Sequence, residues 1–236
     1  MKDLAPLPDY SRRHLNPDQA AAYRLKFRRG PIRRLSARRE RLLVTRALDA
    51  ALSRVPAEAP TLLDYPCGAG RFAPLFAGRV AHYVAGDHSP HMLAIATQAL
   101  QEAGLGDRLV RTVEGDARHM DLEDDAVDLV CCMRLLHHFP ERDDRLRILS
   151  ELRRVSRGPA VTSFLDAASF KQRRHVAKKR RRGQASRRVL LTPDEFAAEA
   201  AATGWRLVDS WSLSGLFSGQ RVALLEPSTP TAEVPR

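Results

Sequence analysis

Apolar residues along this chain fall into short uniform runs that alternate with stretches in which they recur every three or four positions. The short runs end at glycine, proline or acidic residues, and this pattern predicts buried β-strands. These strands are predicted at 61–65, 81–86, 109–114, 126–132 and 159–165. Helices are predicted between them at 71–77, 90–103 and 141–156. The alternation predicts an α/β fold in which helices cover both faces of a mostly parallel, doubly wound sheet of the Rossmann-like type.

The end of the chain departs from this alternation. Thr192, Pro193, Asp194 and Glu195 form the pattern of a capping box, which predicts a helix that ends near Gly204. Two strands at 205–211 and 219–226 then follow each other closely. A pair so close in sequence predicts an antiparallel hairpin at one edge, which brings the sheet to seven strands.

The start of the chain predicts helices without strands. Asn16 and Pro17 begin the first helix, which should stop near Gly30 and Pro31, and a second should begin near Ser36. Residues 1–58 are therefore predicted to form a basic helical extension or lid. The main domain is predicted at 59–228, with an insert at 167–191 and a flexible tail at 229–236.

Charge changes this picture, because the net charge of +11 is unevenly distributed. Segments 11–46 and 171–188 each carry a net charge of +10, so the rest of the chain carries −9. Cations this dense attract phosphates and other anionic groups. We therefore expect an anionic acceptor or regulator at these two segments: a phosphorylated lipid or glycolipid, a nucleotide or, less favoured, RNA. Peripheral contact with a membrane surface is a further expectation.

Cysteine spacing and hydropathy exclude several classes of protein. The three cysteines, Cys67, Cys131 and Cys132, show neither a disulfide framework nor a zinc spacing, so no metal site is predicted. No apolar run approaches the length of a membrane span. These features predict a reduced cytoplasmic protein.

A glycine-containing turn follows the first strand, in the segment LLDYPCGAGRF at residues 62–72. Gly68 and Gly70 fit the relaxed dinucleotide fingerprint, and Asp87 falls near the position of a ribose-binding acid. Glycines let a backbone approach a ligand closely, and the acid accepts hydrogen bonds from ribose hydroxyls. Pro66 stands where such turns usually carry their first glycine, and a proline has neither an N–H group nor access to positive φ.

Four segments in order decide between the cofactors: LLDYPCGAGRF, VAGDHSPHMLAIA, VEGDARHMDLEDDAVDLV and LLHHFP. They resemble the serial motifs of class I S-adenosylmethionine-dependent methyltransferases over about residues 60–226. Within that superfamily they are most similar to the small-molecule branch that includes the ubiquinone and menaquinone biosynthesis enzymes. The first motif resembles the Asp-x-Pro-Cys-Gly-x-Gly variant of the family. Loss of one N–H matters less for the amino-acid tail of S-adenosylmethionine than for the pyrophosphate of a dinucleotide.

The resemblance implies a role for each matching residue of the cofactor site. Asp64 lies near the ammonium group, and Gly68 and Gly70 let the backbone pass the methionine and ribose moieties. Asp87 binds both ribose hydroxyls, and His88 lies against the adenine. The remaining cofactor positions are Asp116, which accepts from the adenine amino group, Ala117, whose N–H faces the ring, and Met133, which lines the methyl channel.

Two histidines follow the fourth strand, at the sheet edge where open α/β proteins bind substrates. His138 is the first choice and His137 the second for a general base, needed only if the acceptor carries a proton. Arg134 is a candidate for binding an acidic acceptor. The predicted function is methyl transfer to a small-molecule or anionic lipid or glycolipid acceptor. An RNA methyltransferase, or a cofactor-binding regulatory module with an anionic ligand such as a nucleotide or with a partner protein, remains the alternative.

Overall fold

A computed structural model of the chain describes residues 31–170, 188–214 and 218–228, with the isolated positions 6, 172–174, 177 and 181. The helices are α1 (Pro31–Leu52), α2 (Ala73–Ala77), α3 (Pro90–Glu102), α4 (Arg142–Val155) and α5 (Pro193–Ala201). The strands are β1 (Thr61–Asp64), β2 (His82–Asp87), β3 (Leu109–Glu114), β4 (Leu129–Cys132), β5 (Ala160–Leu165), β6 (Trp205–Ser214) and β7 (Ser218–Pro227). Short 3-10 turns occur at Gly106–Arg108 and Leu136–His138.

The seven strands form one sheet in the order β3-β2-β1-β4-β5-β7-β6. The first five pair in parallel, and β7 is antiparallel to both β5 and β6. The predicted Rossmann-like fold with its C-terminal hairpin is confirmed. The chain reverses its direction across the sheet between β1 and β4, and ligands of open α/β sheets bind at the carboxyl ends of strands beside such a reversal.

Apolar residues alternate between the two faces of the sheet. Leu62 and Cys131 pack with Leu48 of α1 and Phe76 of α2 on one face. Leu63 and Cys132 pack on the other face with α4 and α5, through Leu149 and Phe196 among others. This alternation within single strands explains why the strands read as continuous apolar runs, since a sheet covered on both faces has no solvated side.

Several predicted boundaries differ from those of the structure, and two of the differences have a visible local cause. Helix α1 begins at Pro31 instead of Ser36, because a proline at the first helical position has no N–H that the helix would use. Strand β4 begins at Leu129 instead of residue 126, because Val127 forms only an isolated bridge with Ser156 and the Asp128 carboxylate accepts the Thr61 N–H at 2.8 Å.

Several predictions lie wholly or partly outside the described residues. The first predicted helix and most of the extension at 1–58 fall there, as do the tail at 229–236 and much of the basic insert. Within the insert, residues 172–174 are helical. The predicted domain bounds stay predictions. No helix in the described part of the chain has the length and apolar character that crossing a membrane requires.

Candidate functional site

The glycine turn after β1 has a backbone that only glycine adopts easily at two positions. Gly68 has φ +54° and Gly70 has φ +67°, both in the left-handed region. A Cβ on Gly70 would lie 2.8 Å from the Ala96 Cα of α3, whereas a Cβ on Gly68 would meet no atom of the described residues within 4 Å. Gly70 therefore lets α3 approach, and Gly68 leaves open space beside the turn.

Tyr65 holds the turn to its neighbours, and the peptide bond to Pro66 is cis. The Tyr65 ring covers Gly86, where an added Cβ would lie 2.0 Å from a ring carbon. Its hydroxyl donates to the Gly115 carbonyl at 2.6 Å, and burial raises the pKa of Tyr65 above its usual value. One side chain thus connects the end of β1 with β2 and with the loop after β3.

Asp87, at the end of β2, holds the glycine turn from the other side. Its carboxylate accepts the Gly68 N–H at 2.9 Å and the Ser89 N–H at 3.0 Å. The His88 Nδ1 lies 3.0 Å from the same carboxylate, which is 3% exposed. A carboxylate has about four acceptor positions, so these contacts leave capacity for a ligand hydroxyl. Ribose binding by Asp87 stays a prediction.

Asp64, at the end of β1, is a buried carboxyl group that accepts a hydrogen bond from the Tyr83 hydroxyl at 2.8 Å. Burial raises the pKa of Asp64 to about 8, and the nearby Asp87 acts in the same direction. A cation placed beside Asp64 favours its ionised form. Asp64 is therefore suited to a ligand with an ammonium group.

A cavity with an empty volume of about 720 Å³, including its open mouth, lies over these strand ends. Six of the predicted site residues line it: Asp64, Gly68, Asp87, His88, Met133 and His138. The other lining residues are Pro66, Cys67, Ala69, Arg71, Phe72, Met92, Arg134 and Leu135. A cavity of this size is suited to a small organic molecule with a few fixed polar contacts.

Four predicted residues do not line this cavity. Gly70 packs under the turn against α3, and Ala117 is buried in the core. The carboxylate of Asp116 accepts from the Arg118 guanidinium at 2.7 Å and from the Arg118 N–H at 2.9 Å. The structure thus gives Asp116 a protein partner where the resemblance implies an adenine, and adenine recognition by Asp116 and Ala117 stays a prediction.

His137 is the fourth of these residues, and its environment differs from that of His138. The centre of its ring lies 4.2 Å from that of His138, and its Nδ1 is buried without a hydrogen-bond partner in the described part of the chain. Burial lowers the pKa of His137 well below its usual value, and positive charge from His138 and Arg134 lowers it further. His137 is therefore neutral at physiological pH, and only His138 faces the cavity.

The opposite wall contains contacts that sequence reasoning missed. Arg134, at φ +64°, donates from one guanidinium nitrogen to Glu40 of α1 at 3.2 Å and to Gln220 of β7 at 2.8 Å. Arg71 contacts the second oxygen of Glu40 at 2.5 Å. One sequence signal pointed to Glu40, which is one of only two acids in the basic segment 11–46.

Part of the chain is similar to a known protein family. Residues 63–160 match the family model described as a methyltransferase domain. The matched residues run from the carboxyl end of β1 to the first residue of β5 and include the glycine turn, Asp87 and both histidines. Such a domain implies S-adenosylmethionine as the cofactor, in agreement with the acidic strand ends and the open glycine turn. A search of curated proteins found no match.

Solved structures with the same fold include magnesium protoporphyrin IX methyltransferase from Synechocystis PCC 6803 with bound S-adenosylhomocysteine. It is 17% identical, with a TM-score of 0.72 over 91% of this chain and 97% of that one. An S-adenosylmethionine-dependent methyltransferase from Clostridium acetobutylicum is 12% identical, with a TM-score of 0.61 over 79% and 91%. The [4+2]-cyclase SpnF is 17% identical, with a TM-score of 0.61 over 78% and 81%. At these identities the likeness shows the fold alone.

Proposed function

We propose that this methyltransferase domain transfers the methyl group of S-adenosylmethionine to a small acceptor that carries an anionic group, either a metabolite or an anionic lipid or glycolipid headgroup. One observation carries the proposal: a single cavity joins the acidic ends of β1 and β2 to Arg134 and His138 after β4. The first wall has the groups that the cofactor needs, and the second has a cation and a base for an acceptor.

The first wall fits the chemistry of the cofactor. Asp64 and Asp87 offer carboxylates to an ammonium group and to ribose hydroxyls, and Gly68 leaves open space where any other residue would place a Cβ. Phe72 and Met92 add apolar surface beside them. When bound, S-adenosylmethionine supplies a methyl group already activated on a positively charged sulfur.

The second wall provides groups suited to an acceptor. Arg134 places a permanently charged guanidinium at the cavity, 29% exposed, and Leu135 and Met133 add apolar surface. His138 lines the same cavity and can accept the proton that a hydroxyl or amine nucleophile loses. The guanidinium that would bind an anion and the histidine that would act as a base are therefore close enough to contact the same small molecule. The similarity to the ubiquinone and menaquinone branch is consistent with such an acceptor.

The outer face of α1 supports recruitment of an anionic partner. Its exposed arginines in the described part of the chain are Arg34, Arg38, Arg39, Arg41 and Arg46. These residues belong to the basic segment 11–46, and a surface this cationic raises the local concentration of anions. We extend the proposal to this face as the approach route of an anionic acceptor, whether free or displayed on a membrane surface.

The decisive experiment is methyl transfer from radiolabelled S-adenosylmethionine into a cell extract that is then separated into metabolites, lipids, RNA and protein. Label in the metabolite or lipid fraction supports the proposal, whereas label confined to RNA would replace it with the RNA alternative. No label in any fraction, together with no binding of S-adenosylhomocysteine, would refute it.

Histidine variants then test the base. His138→Ala should bind S-adenosylhomocysteine normally and lose about 10²–10⁴-fold in turnover, the usual contribution of a general base. The matched control is His82→Ala, at the exposed amino end of β2, which should change neither property. Full turnover in the His138→Ala enzyme would show that no base is needed or that another group supplies it.

A further inference from the structure

Glu40 is a buried acid, 4% exposed, on a helix whose neighbouring residues are largely exposed. Its two oxygens contact two different arginines, Arg134 at 3.2 Å and Arg71 at 2.5 Å, and both arginines line the cofactor cavity. A carboxylate that bridges two guanidinium groups is the arrangement by which proteins bind carboxylate or phosphate ligands. The chain therefore places one of its own anions at a cationic position of the site.

Gln220 supplies a second, independent observation at the same place. Its side-chain oxygen accepts from Arg134 at 2.8 Å, while its Nε2 is buried and has no hydrogen-bond partner among the residues that the structure describes. A buried donor without an acceptor costs free energy, so its presence points to a partner that binds there. Gln220 is 6% exposed, and its hydrogen bond with Arg134 fixes the orientation of its side-chain amide.

The way in which α1 packs against the sheet allows Glu40 to move away from the cavity. Val44, Ala47, Leu48 and Ala51 are fully buried and anchor the C-terminal half of the helix to the sheet. Residues 34–36, 38 and 39 are exposed, so within 34–40 Glu40 is the buried contact. The segment 34–40 can separate from the cavity without exposing the core, as locally weak segments do.

We propose that Arg134 and Gln220 bind an anionic oxygen of the methyl acceptor, from a carboxylate or a phosphate, and that Glu40 occupies this subsite until the acceptor displaces it. This inference rests on the proposed function and narrows the chemistry of its acceptor. An acceptor anion replaces the Glu40 carboxylate on Arg134 and gains a hydrogen bond from Gln220 Nε2. The same displacement frees the first turns of α1 and opens the cavity.

The test measures binding of inorganic phosphate and of acetate by calorimetry. It compares wild type with Glu40→Gln, which keeps the shape of the side chain and removes its charge. If Glu40 occupies the subsite about nine-tenths of the time, its neutralisation should tighten anion binding about tenfold. The matched control is Asp49→Asn on the same helix, where the Asp49 carboxylate pairs with Arg79 at 3.0 Å outside the cavity. That control should leave anion affinity unchanged.

Three further variants test the subsite itself. Arg134→Gln should abolish anion binding, Arg134→Lys should retain part of it, and Gln220→Leu should weaken it several-fold. Hydrogen exchange gives a readout independent of affinity, because phosphate should accelerate exchange of the amides at 36–41 in wild type. In Glu40→Gln these amides should exchange rapidly without phosphate. Equal phosphate affinity in wild type, Glu40→Gln and Asp49→Asn would overturn the inference.

The final arm separates an acceptor anion from the carboxylate of the cofactor. Phosphate is titrated into protein saturated with S-adenosylhomocysteine, and into protein saturated with 5′-methylthioadenosine, which lacks the amino-acid group. Binding in both complexes supports an acceptor subsite. Loss of phosphate binding with S-adenosylhomocysteine alone would assign the subsite to the cofactor and overturn the inference. Binding of S-adenosylhomocysteine by each variant checks the proposed function separately.

Discussion

The two sides of the site differ in how completely their polar groups are hydrogen-bonded. On the cofactor wall, Asp87 accepts two backbone N–H groups and Asp64 accepts the Tyr83 hydroxyl. On the acceptor side, the carboxyl ends of β4 and β5 and the start of β7 include buried atoms that have no hydrogen-bond partner within the described residues. These atoms are His137 Nδ1, Ser169 Oγ and Gln220 Nε2, in residues that belong to this side of the site but do not line the cavity itself.

This difference indicates what each wall is built to bind. A wall with satisfied polar groups is rigid before its ligand arrives, so little ordering remains to be done on binding. Unsatisfied buried groups and the positive φ of Arg134 lower stability and are retained where a ligand or a function requires them. We interpret the first wall as preformed for one constant cofactor and the second as the specificity surface.

The largest expected effect lies in the glycine turn of the first wall. Gly70→Ala should cost about 2–5 kcal/mol of unfolding free energy, the sum of left-handed strain and overpacking against α3. Gly68→Ala has the same kind of φ but open space, so it should cost only about 1–2 kcal/mol and reduce cofactor affinity instead. Urea unfolding and calorimetry with S-adenosylhomocysteine measure both. Equal destabilisation by the two substitutions would contradict the role given to α3.

Asp87→Asn is the next largest perturbation, and it tests whether the first wall is preformed. The amide keeps the shape of the side chain but removes the negative charge of the carboxylate, to which the Gly68 and Ser89 N–H groups donate. Affinity for S-adenosylhomocysteine should fall by about 1.5–3 kcal/mol, and stability should fall by a similar amount. The matched control, Asp128→Asn, removes a carboxylate that accepts the Thr61 N–H at the opposite end of β1. It should lower stability without changing affinity. Normal affinity in Asp87→Asn would mean that the ribose is held elsewhere.

The pKa of Asp64 makes cofactor binding depend on pH. Because its folded-state pKa is about 8 against 3.8, the free protein holds this proton at neutral pH. A ligand ammonium favours the carboxylate, so binding releases the proton, and affinity should rise as pH increases towards 8, by at most about tenfold per unit. For folding, the raised pKa contributes stability that is complete below pH 3.8 and is lost as pH rises through 8.

Calorimetry between pH 6 and 8.5 measures this dependence. Asp64→Asn should bind S-adenosylhomocysteine with a flat profile, and 5′-methylthioadenosine, which has no ammonium, should show none of the rise in wild type. A rise of equal size for both ligands would place the titrating group away from Asp64.

The sequence predicted those parts of the fold and site that depend on residues close together in the chain. The run from Asp64 to Gly70 and the acid Asp87 have fixed positions relative to single strands, so their pattern predicted both the turn and its place in the fold. The same holds for the capping box at Thr192, which the structure confirms.

Sequence reasoning failed where the partners are far apart in the chain. Glu40 and Arg134 are separated by 94 positions, and Arg134 and Gln220 by 86. Nothing local marks such pairs, because they depend on how α1 and β7 pack against the sheet. The sequence ranked His138 before His137 through the family resemblance, and it carried no local sign of their different exposure to the cavity, which depends on a 3-10 turn at Leu136–His138.

The smallest expected effect gives the clearest test of the difference between the walls. It asks whether the loss of a buried serine hydroxyl lowers the unfolding free energy on one wall and not on the other. Ser89 and Ser169 are both buried serines at the carboxyl edge of the sheet. The Ser89 hydroxyl caps α3 by accepting the Met92 N–H at 3.4 Å, whereas the Ser169 hydroxyl has no hydrogen-bond partner in the ranges that the structure describes. Ser89→Ala should therefore lower the unfolding free energy by about 1 kcal/mol, the usual value of an N-cap.

Ser169→Ala should leave stability unchanged or raise it by about 1 kcal/mol, because it removes a buried polar atom that gains nothing in the folded protein. If the hydroxyl is kept for the acceptor, the same variant should lose turnover while binding S-adenosylhomocysteine normally. Thermal unfolding of the two variants side by side, with and without S-adenosylhomocysteine, measures the first effect, and methyl transfer measures the second. Destabilisation of equal size in both serine variants would show that the acceptor wall is as fully satisfied as the cofactor wall, and the distinction between the two walls would fall with it.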